Sequence, residues 1–391
     1  MARRRAGAPR VVVLGGAGMM GRITVRDLAR TAGRSLEVVV ADRDLGPAKG
    51  LPAARVKVDV TDPRSLARVL KGAFATIASL PYRFNLQVMR GALAAGVHYV
   101  DLGGLFHETR RQLRLDRAFR EADLTALLGI GSAPGIVDVL AVHAAEGMER
   151  VDEVHCQVGS VDRTKWKVPP PPLGFGYSPD TLLDEFLLPS AVLRRGKLAF
   201  VPALDPAERV TVRFPPPVGE LALDTTLHSE VAQLPLAFAR RGVKEVTFRQ
   251  GFEQAFVDRL KFLVELGLID TAPLDGTGLT PRQVFLSLLR RFPAPAPRGK
   301  PWRYEVLRAL VRGRRGGRAV EVAADCHAGP AAGWGIGPDI DTGAPPSIAV
   351  QMLLSGEVTR RGVTVPEVAV PVQPFIRELR RRGMKVTRRA T

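Results

Sequence analysis

The sequence predicts an α/β protein with two parts: an N-terminal doubly wound parallel sheet, and a second α/β unit on a mixed sheet. Three features predict it. Short apolar runs alternate with helical patterns through the first 150 residues. A glycine-rich turn follows the first run directly. After Gly135 the regular beat gives way to a proline-richer, hairpin-like texture. Strands alternating with helices imply βαβ units and a sheet covered on both faces.

The apolar runs occupy residues 11–14, 36–41, 55–58, 75–80, 97–102 and 125–130. Helical patterns lie between them over 19–31, 63–70, 84–95 and 107–122. Right-handed crossovers then restrict six strands to a doubly wound order. A helix over 136–148 and a strand over 151–158 open the second unit. Prolines at 169–172 and 215–217 demand extended chain there. Residues 304–311 and 319–324 flank Arg-Gly-Arg-Arg-Gly-Gly, which reads as an antiparallel hairpin. Helical patterns over 253–266 and 281–291 are expected to cover that sheet. Two more, over 345–355 and 372–382, end near Gly356 and Gly383. The expected division is therefore 9–133, 134–340 and a tail over 341–391.

The 391 residues carry 57 basic and 39 acidic side chains, a formal charge of +18. An apolar fraction of 46% and a charged fraction of 25% exclude collagen-like, disulfide-scaffold and wholly disordered chains. The charge itself admits nucleic acid, anionic membrane or acidic small molecules as partners. No block of five like charges occurs, so scattered solvated arginines explain it better and nucleic acid is not expected. The densest clusters, Arg3–Arg5 and Arg380–Arg382 with Arg388 and Arg389, lie near the ends, where disorder concentrates. Cys156 and Cys326 have no metal-site spacing, which fits a reducing compartment. No apolar run reaches membrane-spanning length. The glycines interrupting the first apolar stretch argue against a secretory signal, so a cytoplasmic location is expected.

Gly16-Ala17-Gly18-Met19-Met20-Gly21 is the strongest local signal. It follows a strand and opens a helix, as a dinucleotide-binding Rossmann turn requires. Its glycines serve the tight turn, close approach of pyrophosphate, and helix–sheet packing. The helix N-terminus supplies N–H groups and positive dipole for phosphate. Asp42, 21 residues after Gly21, ends the second strand and is placed to accept from a ribose hydroxyl, which favours NAD. Its neighbour Arg43 would admit the extra phosphate of NADP. Asp59 is placed either to reach the adenine edge or to cap a turn. At the carboxyl ends of later strands lie Ser79, Leu80, Pro81 and Tyr82, then Asp101, then Ser132, Ala133, Pro134 and Gly135. These are expected to border the nicotinamide and the substrate, with Asp101 and Tyr82 as candidates for proton transfer. Lys165 is expected in a loop that covers the crevice.

Together the Gly16–Gly21 loop, HYVDLGG (98–104) and GSAPGIVDVLA (131–141) resemble the saccharopine reductase and lysine 6-dehydrogenase family. So do SPDTL (178–182) with Gly196-Lys197, TGAPP (342–346) and GVTVPE (362–367). The resemblance implies a Rossmann domain, an inserted substrate domain, a tail that returns to the first domain, and a homodimer built on the second sheet. It implies reversible hydride transfer between nicotinamide and the amine-bearing carbon of an amino acid, through an imine. Arg249 resembles the family's arginine after a strand, suited to clamp a substrate carboxylate. His228 lies in a segment that approaches the substrate, where imidazole exchanges protons near neutral pH. No Ser/Tyr-x-x-x-Lys pair and no metal-ligand cluster is present, so the proton relay is open. A carboxynorspermidine-type reductase and a non-catalytic dinucleotide sensor that binds nucleic acid are the competing readings.

Overall fold

The computed structural model describes residues 7–171, 173–174, 177–330 and 339–390. Arg3–Arg5 and Pro172 lie outside the described residues. The first unit runs β1 (Arg10–Leu14), α1 (Met19–Thr31), β2 (Glu37–Asp42), β3 (Ala54–Lys57), α2 (Pro63–Leu70) and β4 (Ala75–Ala78). It continues with α3 (Asn85–Ala94), β5 (His98–Asp101), α4 (Phe106–Leu113), α5 (Asp116–Glu121) and β6 (Thr125–Leu127). All these strands are parallel, in the order β6-β5-β4-β1-β2-β3. Val11, Val12, Val13 and Leu14 are buried on both faces of the sheet, as a strand covered by helices on each side must be. The α2 helix begins where its sequence says it should. Asp62 accepts from the Arg64 N–H at 2.9 Å, and Pro63 takes the first helical position.

One expected helix, over 107–122, is broken at Arg114–Leu115. The break turns α5 so that Asp116 Oδ1 accepts from the Val363 N–H at 3.0 Å, a partner 247 residues away.

The second unit comprises α6 (Ile136–Ala144), β7 (Arg150–Asp162), β8 (Trp166–Val168), α7 (Pro179–Leu187), β9 (Ser190–Arg194) and β10 (Lys197–Val201). Then follow β11 (Val210–Arg213), β12 (Glu220–Thr225), α8 (Glu230–Phe238), β13 (Glu245–Gly251), α9 (Gln254–Glu265) and α10 (Pro281–Leu289). It closes with β14 (Ala296–Pro297), β15 (Arg303–Arg315) and β16 (Arg318–Ala328). Its sheet is mixed, β10-β9-β13-β7-β15-β16, with β12 also beside β13 and β11 outside it. Among the described residues only β13 and β7 pair in parallel there. The β15–β16 hairpin turns on Gly316–Gly317, both at positive φ as a type I′ turn needs. Strands β8 and β14 form a separate ribbon.

Helices α6 and α8 cover the sheet. The α9 and α10 helices do not, contrary to their expected place. Val257 and Leu260 of α9 pack instead on Leu182, Leu183 and Phe186 of α7 in a core of their own.

The tail consists of α11 (Ile340–Gly343), α12 (Pro345–Ser355), β17 (Gly362–Thr364), α13 (Pro366–Ala369), α14 (Val372–Arg381) and β18 (Lys385–Ala390). Strand β17 adds parallel to β6, giving the first sheet seven strands. Strand β18 instead pairs antiparallel with β16 of the second sheet. Arg382 and Arg388, expected near solvated ends, are instead built into this structure. Arg382 is 1% exposed, and its guanidinium meets both oxygens of Asp27 at 2.8 Å. Arg388 caps the last carbonyls of α6 and the turn after it, donating to His143 at 2.9 Å, Ala144 at 3.2 Å and Glu146 at 3.1 Å.

Candidate functional site

The carboxyl end of β1 holds the nucleotide loop. A Cβ at Gly21 would come within 2.2 Å of the Gly15 carbonyl, so the helix can start this close to the turn only with glycine there. Gly15, which precedes the expected motif, is equally constrained: φ is +71°, and a Cβ would meet the Ser79 carbonyl at 2.1 Å. Gly18 is the N-cap of α1, no side chain caps that end, and no acidic residue occupies the first turn. The arrangement suits a pyrophosphate, whose oxygens would take the first N–H groups of α1. Asp42 Oδ2 accepts from the Ala17 N–H at 3.0 Å and ties the loop to the end of β2, where a ribose would lie. Asp59 Oδ1 accepts from the N–H and the hydroxyl of Thr61, at 2.9 and 2.6 Å. These bonds hold its carboxyl below the usual carboxylate range and make it the cap of the turn before α2. Arg43 is exposed beside it.

Ser79, Leu80 and Pro81 follow β4, with the Ser79 N–H bonded to the Leu14 carbonyl at 2.9 Å. Tyr82 reaches away from them across the domain boundary. Its hydroxyl donates to Asp184 Oδ2 of α7 at 2.7 Å, and Asp184 Oδ1 accepts from Arg282 at 2.6 Å. Burial and Asp184 push the phenol well above its ordinary range, which leaves it a donor.

Asp101 is fully buried. Its Oδ1 accepts from the N–H groups of Gly103 at 2.9 Å and Gly129 at 2.7 Å, and its Oδ2 from Tyr99 at 2.9 Å and Gln112 at 2.7 Å. Burial raises its pKa against the pull of those four bonds. The carboxylate thus fastens the loops after β5 and β6 together, and both its oxygens are engaged. A base needs a lone pair that substrate can reach. Beyond it, Ser132 Oγ accepts from Thr342 of the tail at 2.9 Å, Ala133–Pro134 is a cis peptide, and the Gly135 N–H donates to Asp138 Oδ2 at 2.7 Å.

The second domain brings His228 to this crevice. The hydroxyl of Ser229 donates to the Gly104 carbonyl and accepts from Thr109 at 3.1 Å, so the segment is pinned to the loop after β5. The imidazole stacks on Phe248 at 3.9 Å between centroids, with Nδ1 2.5 Å from Glu230 Oε2. Nε2 faces Glu185 Oε1 at 3.9 Å, beyond hydrogen-bond reach. Burial pulls the imidazole pKa down, but Glu230 and then Glu185 pull harder, and it ends above its ordinary value. Glu185 in turn accepts from Tyr177 at 2.5 Å and Gln250 at 2.9 Å.

Arg249 is not brought into this group. Side chains alternate along β13, so Phe248 and Gln250 face His228 while Arg249 and Thr247 face the other side. Arg249 donates there to Thr247 at 2.7 Å and to the Glu208 carbonyl at 3.1 Å. Lys165 is exposed at the start of the β8–β14 ribbon. Among the described residues its side chain makes no ion pair with the site.

Residues 11–127 match the saccharopine dehydrogenase NADP binding domain, and residues 131–384 match the saccharopine dehydrogenase C-terminal domain. The chain belongs to the saccharopine dehydrogenase family. A carboxynorspermidine synthase of Vibrio cholerae is 24% identical over 84% of this chain and 80% of its own length. A carboxyaminopropylagmatine dehydrogenase of Synechocystis is 23% identical over 87% of this chain and 85% of its own. The fold is that of apo saccharopine dehydrogenase (L-Glu forming) from Saccharomyces cerevisiae, with a TM-score of 0.72, 18% identity, and coverage of 98% of this chain and 100% of that one. A nicotinamide dinucleotide is accordingly the cofactor of this family member.

Sequence reasoning passed over several residues of this crevice. Glu230 stands two residues after His228, and Glu185 and Asp184 lie on a helix with no motif of their own. Asp138, Glu230 and Glu367 form a further buried group where α6, α8 and α13 pack together above Cys156. Burial drives Asp138 well above the carboxylate range and pushes Glu367 up to about 8. Their only signal in sequence was an acidic residue within otherwise apolar helical runs. Among the described residues no group suited to hold a metal occurs, and no helix is long and apolar enough to cross a membrane.

Proposed function

We propose that the chain is an NAD(P)-dependent oxidoreductase that moves hydride between nicotinamide and an amine-bearing carbon, with His228 as the proton-exchanging group. The observation that carries this reading is the anchoring of residues 226–230 to the loop after β5. It holds an imidazole, buttressed by Glu230 and stacked on Phe248, at the carboxyl ends of the strands that bear the nucleotide loop. The dinucleotide, when bound on Gly16–Gly21 and Asp42, supplies the hydride acceptor or donor. Amine oxidation needs the nitrogen neutral, so a base must take its proton. His228 Nε2 takes that role in this proposal, with Glu230 orienting the ring through Nδ1. Asp101 positions the surrounding loops, and the low exposure of His228, 8%, keeps water away from an imine.

A particular class of amine fits best. Glu185 and Glu230 flank His228, whereas Arg249 lies across the sheet from it, so the surroundings favour a substrate that carries extra positive charge. A carboxylated polyamine meets that condition better than saccharopine, which has three carboxylates. Two similar proteins that align over most of their length are named for compounds of the first kind. A homodimer through the second sheet and a cytoplasmic location belong to the same reading. The test is absorbance at 340 nm with NADH or NADPH, against imines formed from an aldehyde and either polyamines or lysine. Turnover with the polyamine partners supports the reading. Turnover with lysine alone removes the preference, and none with any amine favours a sensor.

A further inference from the structure

The Rossmann domain has a second concavity, on the helical face over α2 and α3, running from the residues after β4 to the far ends of both helices. A groove of about 870 Å³ lies between α2, α3 and α4 on the outer side of the domain. Its floor includes Leu66 and Leu86, and the two helices close on each other at Gly91, where a Cβ would come within 2.5 Å of Leu66 Cδ2. Lys71, Arg83, Arg90 and Arg111 line it, against one carboxylate, Glu108. That carboxylate is already engaged, accepting from the Leu86 N–H at 3.2 Å and from Arg111 at 3.5 Å. Among the described residues, Lys71 and Arg90 have no carboxylate partner. Arg83 pairs with Asp180 of α7 at 3.1 Å, next to the Tyr82–Asp184 bond, so it belongs to both the groove and the contact between domains.

We propose that this groove binds an organic polyanion, its phosphates on these four cations and its body on the apolar floor, and that binding draws Arg83 from Asp180 and loosens the contact between the domains. The volume is that of a nucleotide-sized ligand site. Guanidinium forks match phosphate oxygens in pairs, and three of the four cations are arginines. The competition is easily won, because Arg83 and Asp180 are 51% and 32% exposed and water screens an ion pair of that kind. None of the groove's cations belongs to the nucleotide loop or touches His228.

The test is calorimetric titration of ATP into the full chain, saturated beforehand with NADPH so that the nucleotide loop is filled. ATP should bind, and inorganic tripolyphosphate should bind more weakly because it has no body for the floor. The Lys71→Glu/Arg90→Glu variant should lose ATP affinity by at least about ten-fold while NADPH affinity, read by fluorescence, stays unchanged. ATP should also speed amide exchange over residues 178–187 in the wild type but not in the double variant. No heat with millimolar ATP at low ionic strength, or equal affinity in the variant, would overturn the site. Binding without the exchange response would overturn the link through Arg83.

Discussion

Arg382→Met should unfold the protein far more readily than any exposed arginine substitution. The guanidinium joins both oxygens of Asp27 at 2.8 Å, Glu378 Oε2 at 2.6 Å and Thr31 Oγ1 at 3.4 Å, with Arg382 and Asp27 each 1% exposed. Methionine fills much of the arginine's volume, so packing is nearly kept. The loss is electrostatic: Asp27 is left as a buried carboxylate without the guanidinium that faces it. Removing one partner of such a pair costs about 3–5 kcal/mol, whereas replacing both by apolar side chains costs little or stabilises. For 391 residues unfolding as a unit, that is a fall in Tm of about 4–6 °C. Urea denaturation of Arg382→Met, Asp27→Leu and the double variant measures it. The double variant should recover most of what Arg382→Met loses. A cost below about 1 kcal/mol for Arg382→Met, or additive losses in the double variant, would refute the reasoning.

Three further outcomes follow from the site. Asp101→Asn places an amide where Tyr99 and Gln112 both donate, so it should cost about 1–3 kcal/mol of stability with turnover within ten-fold; a thousand-fold loss at an unchanged urea midpoint would restore Asp101 as a base. Glu230→Gln removes the larger upward pull on the His228 pKa, so the corresponding limb of the pH–rate profile should move to lower pH, and His228→Ala should lower kcat by about 100-fold or more. An unmoved limb would disconnect the pair. Glu367 has its pKa raised in the folded state, so its contribution to stability is complete at low pH and is lost as pH rises towards about 8. Glu367→Gln should remove a slope of up to ~1.4 kcal/mol per pH unit between its ordinary 4.5 and that value, and an identical stability–pH curve would contradict the burial argument.

What the sequence disclosed was local. The β1–loop–α1 unit is written in consecutive residues, with Gly16, Gly18 and Gly21 each answering to a backbone contact a few positions away, and Asp42 falls at the end of the next strand. The His228 segment was legible as a motif, but its partner Glu185 was not, because Leu227 meets α7 only after folding. Strand β17 is three residues long, too short for a periodicity, and its pairing partner lies more than 200 residues earlier. The break between α4 and α5 answers to that same distant strand. Arg249 was misplaced for another reason. Alternation along β13 says that it opposes Phe248, but sequence does not say which of the two faces the site.

The tail completes two sheets at once, and this has a consequence for synthesis. A nascent chain that has emerged only through residue 340 carries two bare strand edges, β6 and β16, together with Asp27 still lacking its cation. Open edges of this kind pair readily with other chains. The molecule should therefore be most aggregation-prone in the interval before residues 341–390 emerge and pair with both edges.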